Sequence, residues 1–317
     1  MKFAIAIFAA LLMSVPASKS LGSELLRVGN AGREAFSFTP ANIGMEAGIF
    51  AKNGLRVEIS GFGGDAKLQQ AMAAGAVDVG LGSGPGMAFI VKGAPVKGIA
   101  AMAGPPLLFA LVVRSDGSIK SVDDLRGHKV GISTVGSATS WLMNEVSRQH
   151  DWGFGGFTQV PIGENSARIA ALKSGAIDAC VVDIGSALRF VQAGDGKILM
   201  RFGGVAKDFI MHVIFATDKA IAEKPASLSA FLKGWFETIA FMRHNKDKSV
   251  AIAQTVMGTD QAMTGAIYDE LMPMFLDNGR FDPKALAVLS RSFVEMKILP
   301  AAPDMSKLYT EAFLPAQ

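Results

Sequence analysis

Eight residues recur in kind and order one hundred positions apart: AMAAGAVD at 71–78 is echoed by ALKSGAID at 171–178. Each reads as the end of a helix, a glycine stop and the entry to an apolar strand. A generic helix-to-strand corner has the same outline, but the surroundings match as well. Apolar runs at 25–29 and 55–60 flank a helical spacing at 40–52, and apolar runs at 129–133 and 158–162 flank another that ends near residue 150. Strands alternating with helices argue for a mainly parallel sheet, whose ligand crevice lies beyond the carboxyl ends of its strands. A period this long is no solenoid repeat. With 317 residues, half of them hydrophobic, the chain also exceeds one ordinary core. The expectation is an α/β protein of two similar lobes, each a mostly parallel sheet flanked by helices.

The path between the lobes is marked by polarity. After the apolar run 107–114 comes the polar break Ser115, Asp116, Gly117 and Ser118, and the apolar run 211–217 carries the chain back. Beyond Pro225 the sequence reads as helical, with Leu228, Phe231, Leu232, Trp235, Ile239 and Met242 on one stripe. The expected division is lobe I at 21–112 and 216–317 and lobe II at 113–215, with the C-terminal helices packed on lobe I. Residues 1–20 read as a cleaved leader: Lys2, an apolar run at 3–13 and the small residues near Ala17, with cleavage at 17–20. That run is too short to span a bilayer, which takes about 20 apolar residues. Export to the periplasm is expected. The one cysteine, Cys180, sits in an apolar run, so it forms no intrachain disulfide and reads as a small buried hydrophobe. A formal net charge of +3 with no basic stripe excludes a nucleic-acid partner.

If the two sheets face each other, the loops after their strands converge. Those of the first lobe hold Arg33, Phe36, Ser37 and Thr39, then Gly64 and Asp65, then Ser83 and Gly84. Those of the second hold Gly136, Ser137 and Thr139, then Glu164 and Asn165, then Asp183. Glycine and serine at a helix start leave backbone N–H groups at the positive end of the helix dipole, which suits an anion, although Ser137 or Thr139 capping its own helix accounts for the same residues. Phe36, Phe38, Phe62 and Trp141 are candidates to cover a planar solute, with plain core the simpler reading for Phe62 and Trp141. Arg33 is a candidate partner for an acid group, and Asp65, Glu164 and Asp183 for donor groups, Asp65 doubling as a helix cap. Catalysis has little support. His128, His150, His212 and His244 are scattered without metal-ligand spacing, no nucleophile elbow occurs, and Asp123 and Asp124 read as helix-start carboxylates. No cofactor or metal is expected.

The stretch PANIGMEAGIFAKNGLRVE at 40–58 resembles the opening of the nitrate, sulfonate and taurine branch of ABC-importer solute-binding proteins. AAGAVDVG at 73–80, KGAPV at 92–96, residues 121–131, Gly136 with Ser137, and residues 174–182 continue the resemblance, which covers most of 25–217. It implies a type II periplasmic-binding fold with two lobes, two crossing strands and the ligand between them. By position it singles out Phe36, Thr39, Gly64, Ser83, Gly136, Ser137, Thr139, Asn165 and Asp183. The chain departs from relatives by carrying Ile184, Gly185 and Ser186 where they often place a proline, and it lacks the cysteine-rich motif of a related thiamine-precursor enzyme. The implied function is periplasmic capture of a small organic anion, by a monomer that closes on a hinge and serves a membrane permease. An enzyme on the same fold and a ligand sensor for a receptor are the alternatives.

Overall fold

The structure, a computed structural model, describes residues 24–32, 35–135, 137–153 and 155–316, so the expected leader at 1–20 lies outside it. The chain opens with β1 (Glu24–Asn30), α1 (Thr39–Glu46), α2 (Ile49–Lys52), β2 (Leu55–Gly61), α3 (Asp65–Ala73), β3 (Val79–Ser83), α4 (Ala88–Val91) and β4 (Val96–Ala103). It then passes through β5 (Phe109–Arg114), β6 (Lys129–Ile132), α5 (Ala138–Gln149), β7 (Thr158–Pro161), α6 (Asn165–Lys173), β8 (Ala179–Asp183), α7 (Ile184–Gln192) and β9 (Gly196–Arg201). It returns through β10 (His212–Thr217) and ends in α8 (Asp218–Glu223), α9 (Pro225–His244), α10 (Lys246–Met257), α11 (Gln261–Leu271) and α12 (Pro283–Glu295).

Two five-stranded sheets result, in the orders β2-β1-β3-β10-β4 and β7-β6-β8-β5-β9. In each, the fourth strand runs antiparallel to both neighbours and is the strand the chain enters on crossing over. This is a two-lobed α/β fold with mixed, largely parallel sheets. The expected lobe boundaries shift slightly. Phe109–Arg114 pairs with β8 and β9, so the chain crosses before this strand rather than at its end, and His212–Thr217 is already in the first sheet. An apolar run buried on both faces carries no mark of which sheet it joins.

The echoed corner has the same construction in both lobes. Gly75 and Gly175 adopt left-handed φ of 70° and 77°, which a side chain resists. The N–H of Ala76 bonds the carbonyl of Ala71 and that of Ala176 the carbonyl of Ala171, both at 2.9–3.0 Å. The aspartate that follows then clamps the strand standing second in its sheet's order, β1 in one lobe and β6 in the other. Asp78 accepts from the backbone N–H of Arg27 at 3.0 Å, from its guanidinium at 2.8 and 3.1 Å, and from Lys224 at 3.2 Å. Asp178 accepts from the N–H of Lys129 at 2.9 Å and lies 3.2 Å from His128 Nδ1. Burial pushes both carboxyls up, yet these donors hold each of them below the ordinary carboxylate range.

The C-terminal helices pack on lobe I and also reach across. Phe231 of α9 stacks on Phe50 at 5.2 Å, and α9 buries the stripe Leu228 to Met242 read from the sequence. Farther on, α11 and α12 touch lobe II: Arg201 of β9 pairs with Glu270, Arg291 with Glu145 of α5, and the Trp141 indole donates to Glu295 at 2.7 Å. Trp141 is core, stacked on Phe209 at 4.9 Å. Near the return crossing, a methyl group on Gly84 would lie 1.9 Å from the carbonyl oxygen of Ile210, so only glycine lets the two backbones touch.

The two clamps differ in burial: the Asp78 side chain is 8% exposed and that of Asp178 33%. Asp78→Ala should therefore lower stability in urea denaturation by about 2–4 kcal/mol and Asp178→Ala by about 1 kcal/mol. Equal losses would contradict this account of the corner.

Candidate functional site

The loops after β1, β2 and β3 face those after β6, β7 and β8 across a cleft with two adjoining chambers. Gly32, Ala35, Ser37 and Leu108 line both. The inner chamber, about 410 Å³, takes Phe38, Gly64, Asp65, Ser83, Pro85, Met211, His212, Met296 and Ile298 from lobe I and its C-terminal segment, and Phe109, Ser137 and Ala138 from lobe II. The outer chamber, about 970 Å³, is walled by Phe36 and residues 257–260 of the α10–α11 turn on one side and by Glu164, Asn165, Asp183, Gly185 and Arg189 on the other.

The expected loops are thus brought together, with exceptions. Phe36, Ser37, Gly64, Asp65, Ser83, Ser137, Glu164, Asn165 and Asp183 line a chamber. Thr39 is fully buried with its hydroxyl on the carbonyl of Phe36 at 2.8 Å, and Gly84 faces Ile210, so neither lines the cleft. Thr139 is buried as well, closing a triangle of hydroxyls with Ser133 and Ser137 at 2.8–3.0 Å. Arg33 and Gly136 lie outside the described residues.

Hydrogen bonding sorts what remains. Ser137 caps α5, accepting from Ser140 N–H at 3.2 Å, while its residue still faces the inner chamber. Asp183 caps α7 through the Ser186 N–H at 2.9 Å and hydroxyl at 2.6 Å and also accepts from Asn165, so its oxygens are occupied. Beneath them Arg168, 3% exposed, bonds Gly163, Asn165 and the Val181 carbonyl, and burial lowers its pKa. Helices α3 and α6 have no side-chain cap: their N-caps, Gly64 and Glu164, leave the first-turn N–H groups open beside the two chambers.

Two titratable groups mark the inner chamber. Asp65 accepts from the Ser83 N–H at 2.7 Å, and burial raises its pKa in spite of that bond. His212 is 5% exposed, edge-on to Phe38 at 5.1 Å, and its Nδ1 has no hydrogen-bond partner among the described residues. Burial pushes this imidazole down to about 3. Sequence reading missed His212, Arg168, Arg189 and the C-terminal contributors Asp260, Met296 and Ile298. None sits in a loop at a strand end, Arg168 and Arg189 being within α6 and α7, and the late helices carry only a core signal. Cys180 is buried and its thiol is pushed up to about 12 by desolvation, against the pull of Arg168, so it is inert. Among the described residues no cluster of three His, Cys, Asp or Glu is placed to hold a metal.

Two α/β lobes facing across a cleft, joined by two crossings, define the periplasmic-binding-protein fold. The chain belongs to the NMT1/THI5 like family, whose sequence pattern matches residues 35–249. The fold is similar to that of the periplasmic aliphatic sulphonate binding protein SsuA from Escherichia coli (19% identity, 90% of this chain and 92% of that chain, TM-score 0.77). It is also similar to the alkanesulfonate-binding protein SsuA from Xanthomonas axonopodis pv. citri bound to MOPS (16% identity, 90% and 98% covered, TM-score 0.72). A third similar structure is the periplasmic nitrate-binding protein NrtA from Synechocystis PCC 6803 (15% identity, 91% and 86% covered, TM-score 0.68). No curated protein matches the chain.

His212 gives the fold a pH dependence with a definite sign. An unfolded histidine takes up its proton near pH 6.5, whereas the native one stays neutral to about 3. Between those values the unfolded chain binds the extra proton, so native stability declines as pH falls through this window. Thermal unfolding from pH 7 to 4 should show Tm dropping, with a shallower slope in His212→Leu. An unchanged slope would rule out His212 as a source.

Proposed function

We propose that the chain is a periplasmic solute-binding protein that captures a small organic anion, such as a sulfonate or carboxylate, and delivers it to the permease of an ABC importer. The observation that carries this reading is the cleft itself. Open helix starts from both lobes, α3 from one and α6 from the other, border its chambers, and backbone N–H groups at the positive end of a helix are donors for an anion. A guest held from both sides stabilises the closed arrangement of the lobes, and a permease that recognises this arrangement takes only loaded protein.

The carboxylates along the cleft do not oppose an anion equally. Asp183 and Asp260 are spent as caps of α7 and α11, and the raised pKa of Asp65 favours its neutral form. Arg168 and Arg189 lie on the lobe II side. Binding without turnover fits the inner chamber, where the hydroxyls of Ser83 and Ser137 serve local backbone N–H groups and His212 Nδ1 activates neither. Residues 1–20 would direct export and be removed. No helix among the described residues is long and apolar enough to cross a membrane.

Purified protein lacking 1–20 should gain roughly 5–10 °C in Tm with one member of a panel of aliphatic and aromatic sulfonates, carboxylates, nitrate and pyrimidines, each at about a hundred times its Kd. The bound compound should be recovered chemically intact. A panel that leaves Tm unmoved speaks against capture, and recovery of an altered compound points to an enzyme.

A further inference from the structure

We propose that His212 is a solute-contacting residue, its imidazole hydrogen-bonding an oxygen of the acid group of the captured anion. This rests on the anion-capture reading and adds a residue to it that neither the sequence pattern nor the family resemblance picks out.

The case begins with what β10 tolerates. All six of its residues are buried, and its other polar side chain, Thr217, is satisfied by capping Ala220 at 3.0 Å. His212 has no such employment: its Nδ1 is enclosed and unpartnered among the described residues. A purely structural role at this position is better served by an apolar side chain, because a buried polar atom without a partner opposes folding. The ring nevertheless belongs to the wall of the inner chamber, together with Ser137 from the other lobe.

Its surroundings fix where it points the interaction. In the sheet, His212 sits opposite Ser83, whose N–H is held by Asp65, and the edge-on contact with Phe38 sets the plane of the ring. The row Asp65, Ser83, His212 therefore runs along the chamber at the carboxyl end of β3. Asp65 is the acidic group among the described lining residues of this chamber, and its carboxyl is turned to the Ser83 backbone. A neutral imidazole offers an N–H to an oxyanion without placing a formal charge of its own in an apolar pocket walled by Met211, Met296 and Ile298.

The test compares the wild-type protein, His212→Leu and His212→Gln, with MOPS, benzenesulfonate, benzoate and nitrate as probes. Calorimetry gives the affinities, and nitrogen-15 histidine NMR follows the rings, with His128, His150 and His244 as internal references. Whichever probes bind the wild type should bind His212→Leu about tenfold more weakly. His212→Gln, which keeps a donor, should lose less than about threefold, and at saturation the His212 ring nitrogens alone should shift. If the leucine variant does not fold by circular dichroism, the glutamine variant and the wild-type spectra decide. Equal affinity in the substituted proteins, or a His212 ring unmoved at saturation, overturns the assignment and leaves anion capture standing. Failure of these four probes and of the rest of the panel above to bind the wild type overturns the capture reading, and this assignment with it.

Discussion

The structure depends on a carboxylate that reaches back across its sheet. Asp78 and Asp178 each follow a glycine that ends a helix and each grips the neighbouring parallel strand of its own sheet, β1 or β6. The consequence reaches the far end of that helix. Nine residues of α3 or α6 span about 13 Å at 1.5 Å per residue. With the carboxyl end locked by a glycine turn and a hydrogen-bonded carboxylate, the amino end is held where it borders the cleft. The helix needs no cap there to stay in place, so its N–H groups remain free for a guest.

Charge in the cleft follows the same division of labour. Side chains that look available by composition are mostly engaged in holding loops: Asp183 on α7, Ser137 on α5, Arg168 under Gly163 and Asn165. What is left for a solute is largely backbone amide and neutral donor. Such groups lose less on desolvation than formal charges do, and they suit a pocket lined by Phe38, Phe109 and methionines.

The duplicated corner made the architecture legible, since helix, glycine stop, aspartate and strand must recur together if two lobes are built alike. Loops after strand ends were legible for the same reason, and nine of the fourteen candidates there line a chamber. Thr39 and Thr139 share that neighbourhood in sequence but turn inward, because a hydroxyl near a helix start can satisfy its own backbone or a neighbouring hydroxyl. The sheet that claims Phe109–Arg114 was not legible, because a uniformly apolar strand suits either. His212 was not legible because a lone histidine at the head of an apolar run gains meaning only from the chamber beside it. Met296 and Ile298 come from the end of the chain, and pattern gives no hint that this end doubles back to the cleft.

The contact between Gly84 and Ile210 has a mechanical consequence. Gly84 follows Ser83 directly, its N–H bonds the carbonyl of Met211 at 2.9 Å, and Ile210 belongs to the segment by which the chain returns from lobe II. The loop after β3 that borders the cleft and the segment returning from lobe II are therefore in backbone contact, with no side chain on Gly84 to absorb a displacement. Under the proposed capture, a tug on Ser83 would be a torque on this segment, so occupancy and bending would act as a single degree of freedom.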